Sequence, residues 1–105
     1  MDKQSIKIAK EFAKKIKKDI NIQKIILFGS RARGDNLKKS DYDFLIISKD
    51  FKKKPFILRA GDLYDYWDES VDIEPLCYTP EEFEKKKKQI GIVKTAVDEG
   101  IEICC

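Results

Sequence analysis

The sequence predicts one α/β domain with a three- or four-stranded sheet flanked by helices. Three runs rich in β-branched and aromatic residues, "IQKIILF", "YDFLIIS" and "VDIEPLCY", have strand length and end at turn-forming residues. Amphipathic stretches lie between them. That alternation is the pattern of helices packed on a sheet, not of a helical bundle or a sandwich.

Taken in order, Ile6, Ala9, Ala13, Ile16 and Ile20 recur at three- and four-residue steps, which predicts an N-terminal helix of roughly four turns with its lysines outward. Residues 22–28 form the first strand, which stops at Gly29. A short helical piece follows Gly29-Ser30, then a loop with Gly34, Asp35 and Asn36. Residues 42–48 are the second strand. Phe56, Ala60, Leu63 and Trp67 predict a helix over 55–68 despite Gly61, with Trp67 in the core. Residues 71–78 are the third strand. Thr79-Pro80-Glu81-Glu82 has a cap residue, proline at the first helical position and glutamate at the third, so a helix starts there. It breaks near Gly91, resumes to Glu99 and stops at Gly100 before a terminal strand, "IEIC". Cys104 and Cys105 read as the unremarkable end of that strand.

The 105 residues suit one domain, 1–105, without room for a separate substrate-recognition domain. A hydrophobic share of 42% beside a charged share of 39% describes a folded chain with a heavily charged surface. The net charge of +3 is too small to imply nucleic acid, which is not expected as a direct ligand. Its distribution says more: seven lysines fall within the first 18 residues, whereas 62–74 holds six carboxylates and no Lys or Arg. No apolar run approaches the ~20 residues that cross a bilayer, and the N-terminus lacks a signal peptide's apolar core. A cytoplasmic protein without a membrane partner is expected. Three cysteines and no histidine argue against a disulfide framework, a Cys/His zinc site and histidine acid-base chemistry. An enzyme built from this chain would work with carboxylates.

The segment "FGSRARGDNLKKSDYD" concentrates the candidates. A strand that turns at Gly29-Ser30 into a helix aims backbone N–H groups and a helix dipole at one point, which suits a phosphate. Asp41 and Asp43 stand two apart at a strand start, so both leave one face while Tyr42 points the other way. Adjacent carboxylates raise one another's pKa unless a cation lies between them, and Mg2+ with oxygen ligands is the natural one. Asp72 could add a third carboxylate if the third strand lies beside the second, with Glu74 on the same face as a possible substitute. Two metals about 4 Å apart clamp the attacking and leaving oxygens of an in-line phosphoryl displacement. With a phosphate cradle beside them, a nucleoside triphosphate is the expected substrate. The chain has nineteen lysines and three arginines, yet Arg31 and Arg33 both sit here. A forked guanidinium suits triphosphate or carboxylate recognition, and Arg33 is the preferred candidate.

Gly29-Ser30, ten residues, Asp41-x-Asp43 and a later Asp72 resemble the signature of the DNA polymerase β-type nucleotidyltransferase superfamily. The fuller "FGSRARGD...SDYDFLI...VDIE" is similar to its smallest branch, the minimal nucleotidyltransferases encoded beside HEPN-domain proteins in prokaryotic toxin-antitoxin pairs. The resemblance implies a polymerase β-like nucleotidyltransferase fold, with a small mixed sheet flanked by helices. It also implies Asp41, Asp43 and Asp72 as the metal-binding catalytic carboxylates, and Gly29 and Ser30 as the triphosphate holders. It further implies transfer of AMP from ATP to a tyrosine of the HEPN toxin. Two alternatives stay open: an antitoxin that neutralises by binding alone, and a nucleotidyltransferase acting on a small molecule.

Overall fold

Strands β1 (Ile22–Phe28) and β2 (Tyr42–Ser48) are buried along almost their whole length, so the sheet they form must be covered on both faces. The computed structural model describes residues 3–104 and places four strands in the order β3-β2-β1-β4, with β3 spanning Ile73–Tyr78 and β4 Ile101–Cys104. Cys105 lies outside the described residues. β1 runs antiparallel to β2 and to β4, whereas β2 and β3 are parallel. The sheet is therefore mixed. The end of β1 and the starts of β2 and β3 meet at one end of it.

Alternate residues of each strand feed two separate apolar layers. On one face, Ala9, Phe12, Ala13 and Ile16 of α1 (Lys3–Lys17) pack with Ile25, Leu27, Phe44, Ile46 and Leu63. On the other, Phe83 of α4 (Pro80–Lys86) and Val93 and Ala96 of α5 (Ile92–Glu99) meet Ile26, Phe28, Leu45 and Ile47. Ile6 and Ile20 sit at the margin of the α1 stripe, and its centre is Phe12, whose ring lies 5.0 Å from Phe44 and 5.3 Å from Trp67. Lys3, Lys7, Lys10, Lys14 and Lys17 face solvent, as the periodicity predicts.

The helix expected over 55–68 is broken. Only α3 (Phe56–Arg59) is α-helical, and Ala60–Tyr66 continue as a 3-10 helix. Three residues per turn align Ala60, Leu63 and Tyr66, and these are the positions turned inward. Trp67 follows in extended backbone, donates from Nε1 to the Val71 carbonyl at 2.6 Å, and packs against the core as expected.

α4 starts where the sequence places it. The Thr79 hydroxyl accepts from the Glu82 N–H at 3.3 Å, and the Glu82 carboxylate accepts from the Thr79 N–H at 2.8 Å. Glu82 also binds Arg59, whose buried guanidinium donates to it at 2.6 Å and to the carbonyls of Lys54 and Cys77. Arg59 thereby holds Glu82 below the usual carboxylate range, aided by the Thr79 N–H. A depressed carboxylate contributes stability that is present above its unfolded value of 4.5 and lost as pH falls through the folded one. Glu82→Gln is therefore expected to lower stability by about 1 kcal/mol at pH 7, the Glu82 carboxylate being partly exposed. In urea unfolding, the gap to wild type should close below pH 4.

Pro75 stands in β3, an edge strand. Tyr42 N–H donates to Asp72 O at 3.0 Å, and continuing that register turns the backbone nitrogens of residues 73, 75 and 77 away from β2. Proline removes no ladder bond there. Burial pushes the neighbouring Cys77 thiol up to about 12, so it packs as a small apolar group.

Candidate active site

After Phe28 the chain must leave the sheet and enter α2 (Ser30–Arg33) in a single residue. Gly29 does this with φ 75° and ψ −156°, a region essentially closed to other residues. The Gly29 carbonyl accepts from the N–H groups of Ala32 and Arg33, each at 3.1 Å, which closes the turn. A Cβ on Gly29 would overlap Oδ2 of Asp43. The space left by the missing side chain is filled by that carboxylate. Thus the Gly-Ser turn and the Asp-x-Asp strand start, ten residues apart in the chain, touch. α2 is only one turn long, so the dipole behind the sequence argument is small, and the backbone turn with the Ser30 hydroxyl is what remains of the cradle.

Asp43 lies opposite Phe28 on one side and Glu74 on the other. Since β3 does lie beside β2, the register sets Asp41 level with Asp72 and Asp43 level with Glu74. Asp41, Asp72 and Glu74 are exposed, and Asp43 is half-buried. Burial, a hydrogen bond with Glu74 and the negative charges of Glu74 and Asp41 push Asp43 up to about 6, against the pull of Arg33. The carboxylate at contact with Asp43 is Glu74, on the strand face it shares with Asp72. Among the described residues, no three acidic or cysteine side chains converge closely enough to ligate one ion as they stand. The chemistry of the donors nonetheless fits a hard divalent cation: all are oxygens, their charges repel, and Asp43 is pushed up by burial and then by its carboxylate neighbours, a shift a bound cation would oppose.

The two arginines part company. Arg33 is exposed, and its Nε donates to Asp35 at 3.2 Å. It is also the arginine whose charge acts on Asp43. Arg31 is buried, donating to Ser5 Oγ and to the carbonyls of Lys38 and Ser40. The sequence favours Arg33 without separating the two firmly, because both side chains have one chemistry and only burial distinguishes them. The carboxylates occupy an open shelf on the α4/α5 side of the sheet. A cavity of about 380 Å3 lined by Tyr42 and Arg31 lies on the opposite side, toward α1, away from them.

Residues 6–102 match the nucleotidyltransferase domain family. Two proteins of Methanocaldococcus jannaschii are similar. "Putative protein adenylyltransferase MJ0141" is 32% identical over 103 residues, covering 93% of this chain and 97% of its own. "Putative protein adenylyltransferase MJ1215" is 30% identical over 67 residues, covering 64% and 74%. The crystal structure of a "putative nucleotidyltransferase from Sulfolobus solfataricus" superposes with a TM-score of 0.65 at 24% identity, over 94% of this chain and 78% of that one, which establishes the common fold. With a family match across nearly its whole length and a full-length relative above 30% identity, the chain belongs to the nucleotidyltransferase domain family.

Proposed function

We propose that the protein is a Mg2+-dependent protein adenylyltransferase that moves AMP from ATP to a tyrosine hydroxyl of a separately encoded HEPN-domain toxin, and so acts as its antitoxin. The observation that carries this reading is the contact of the Asp43 carboxylate with Gly29, which puts the candidate metal holder against the candidate phosphate holder. The names of the M. jannaschii relatives support a protein acceptor. The openness of the shelf supports one too, because a bulky acceptor can reach it.

In this reading Asp41, Asp43 and Asp72 hold the metal, with Glu74 beside Asp43. Bound there, the metal supplies positive charge to the triphosphate and to the departing pyrophosphate. The Gly29 turn and the Ser30 hydroxyl hold the outer phosphates, and the Arg33 fork orients them. The tyrosine oxygen attacks the α-phosphorus as the bond to pyrophosphate breaks. Its proton passes to a carboxylate oxygen of Asp72.

The test is incubation with α-labelled ATP, Mg2+ and the product of the adjacent gene. Label on a tyrosine of that protein is expected. Transfer to a small molecule with no protein present, or no transfer at all, overturns the assignment.

A further inference from the structure

Arg31 is 6% exposed and almost fully engaged. Its Nε donates to the Ser40 carbonyl at 3.1 Å, and Nη2 donates to the same oxygen at 2.8 Å and to the Lys38 carbonyl at 3.1 Å. Nη1 donates to Ser5 Oγ, on α1, at 3.0 Å. The guanidinium carbon also lies 4.3 Å from the centre of the Tyr42 ring. Ser40 and Tyr42 are the residues on either side of Asp41. The arginine itself belongs to the turn that begins at Gly29-Ser30. One planar group therefore ties the phosphate-side turn to both neighbours of the first carboxylate and anchors them to α1.

We infer that Arg31 is a positioning residue for the Asp41/Asp43 pair, fixing the loop before β2 so that both carboxylates face a divalent cation at the Gly29 turn. This rests on the proposed carboxylate site. Residues 34–40 contain no strand or helix; their own bonding is a local turn in which Ser40 N–H donates to the Leu37 carbonyl at 3.1 Å and Leu37 N–H to Ser40 Oγ at 2.9 Å. The Arg31 fork ties that turn to the start of α2. A lysine would keep the charge and much of the stem but could not grip the Ser40 and Lys38 carbonyls while packing over the Tyr42 ring. Residues that hold a ligand in place, without touching the ion, typically change metal affinity about 10–100-fold when replaced.

The experiment is Mn2+ titration of the nucleotide-free protein, followed by paramagnetic resonance, for wild type, Arg31→Lys and Ser5→Ala, with thermal unfolding of each. Arg31→Lys is expected to weaken Mn2+ binding at least about tenfold while remaining folded. Ser5→Ala loosens the α1 anchor and should lower Tm while leaving Mn2+ affinity within about twofold, which separates positioning from general destabilisation. Unchanged affinity in a folded Arg31→Lys overturns the proposal. So does an equal loss in Ser5→Ala, or the absence of Mn2+ binding by wild type. The adenylylation assay reads separately. Wild type that transfers no AMP but loses Mn2+ affinity on Arg31→Lys sinks the transferase reading and keeps the strut; the converse result does the reverse.

Discussion

Replacing both carboxylates, Asp41→Asn/Asp43→Asn, is expected to abolish AMP transfer and to leave the fold intact or strengthened. The metal they would hold is asked for several kcal/mol of transition-state stabilisation, which at about 1.4 kcal/mol per factor of ten corresponds to a loss of about 10^3-fold or more in kcat/KM. The stability effect runs the other way. Asp43 is pushed up to about 6 by burial, by the Glu74 hydrogen bond and by nearby negative charge. A carboxylate raised in the folded state favours folding only while protonated, so at pH 7 without metal its charge opposes the fold. Asparagine removes that charge, and metal-free stability should rise by about 1 kcal/mol. Urea unfolding at pH 7 with chelator, beside the labelled transfer assay, reads both. Undiminished transfer would sink the catalytic role. Full neutralisation of the partner by the inactive variant would favour inhibition by binding alone.

Gly29→Ala should also lower transfer, by about 100-fold, with the opposite effect on the fold. Alanine at φ 75° and ψ −156° is strained by about 1–3 kcal/mol, and its Cβ would collide with Asp43 Oδ2. Relief requires the Asp43 carboxylate or the turn to move by about 1 Å, a displacement that typically lowers rate about 100-fold. Both substitutions therefore cut transfer strongly, but only Gly29→Ala lowers the urea midpoint. A Gly29→Ala protein of wild-type stability and activity would mean that the turn relaxes freely and that the contact has no role.

The sequence made the element order readable because its punctuation is chemical: Gly29, the Thr79 box, Gly91 and Gly100 each stop or start an element where the structure has the boundary. Ala60–Tyr66 was misread because Phe56, Ala60, Leu63 and Trp67 fit a 3.6-residue period as well as Ala60, Leu63 and Tyr66 fit one of three. A single apolar stripe cannot distinguish the two. Strand order was out of reach, since nothing local in β3 says that it pairs in parallel with β2. Without that pairing, Glu74 could be placed only on the face it shares with Asp72. The register then made Glu74 the neighbour of Asp43. Arg31 was hidden for a related reason: its partners, Ser5, Lys38 and Ser40, are distant in sequence or offer backbone carbonyls, and carbonyls carry no residue identity.

The outer edge of β3 bears on how the protein can associate. A bare edge strand is a template for another chain, which would add its own strand by pairing with exposed N–H and C=O groups. Here Pro75 offers no N–H, and the Cys77 carbonyl is already taken by Arg59. An incoming strand would lose both bonds. With those two groups withheld, the outer edge of β3 is a poor template for an added strand, and side chains there favour docking over growth of the sheet.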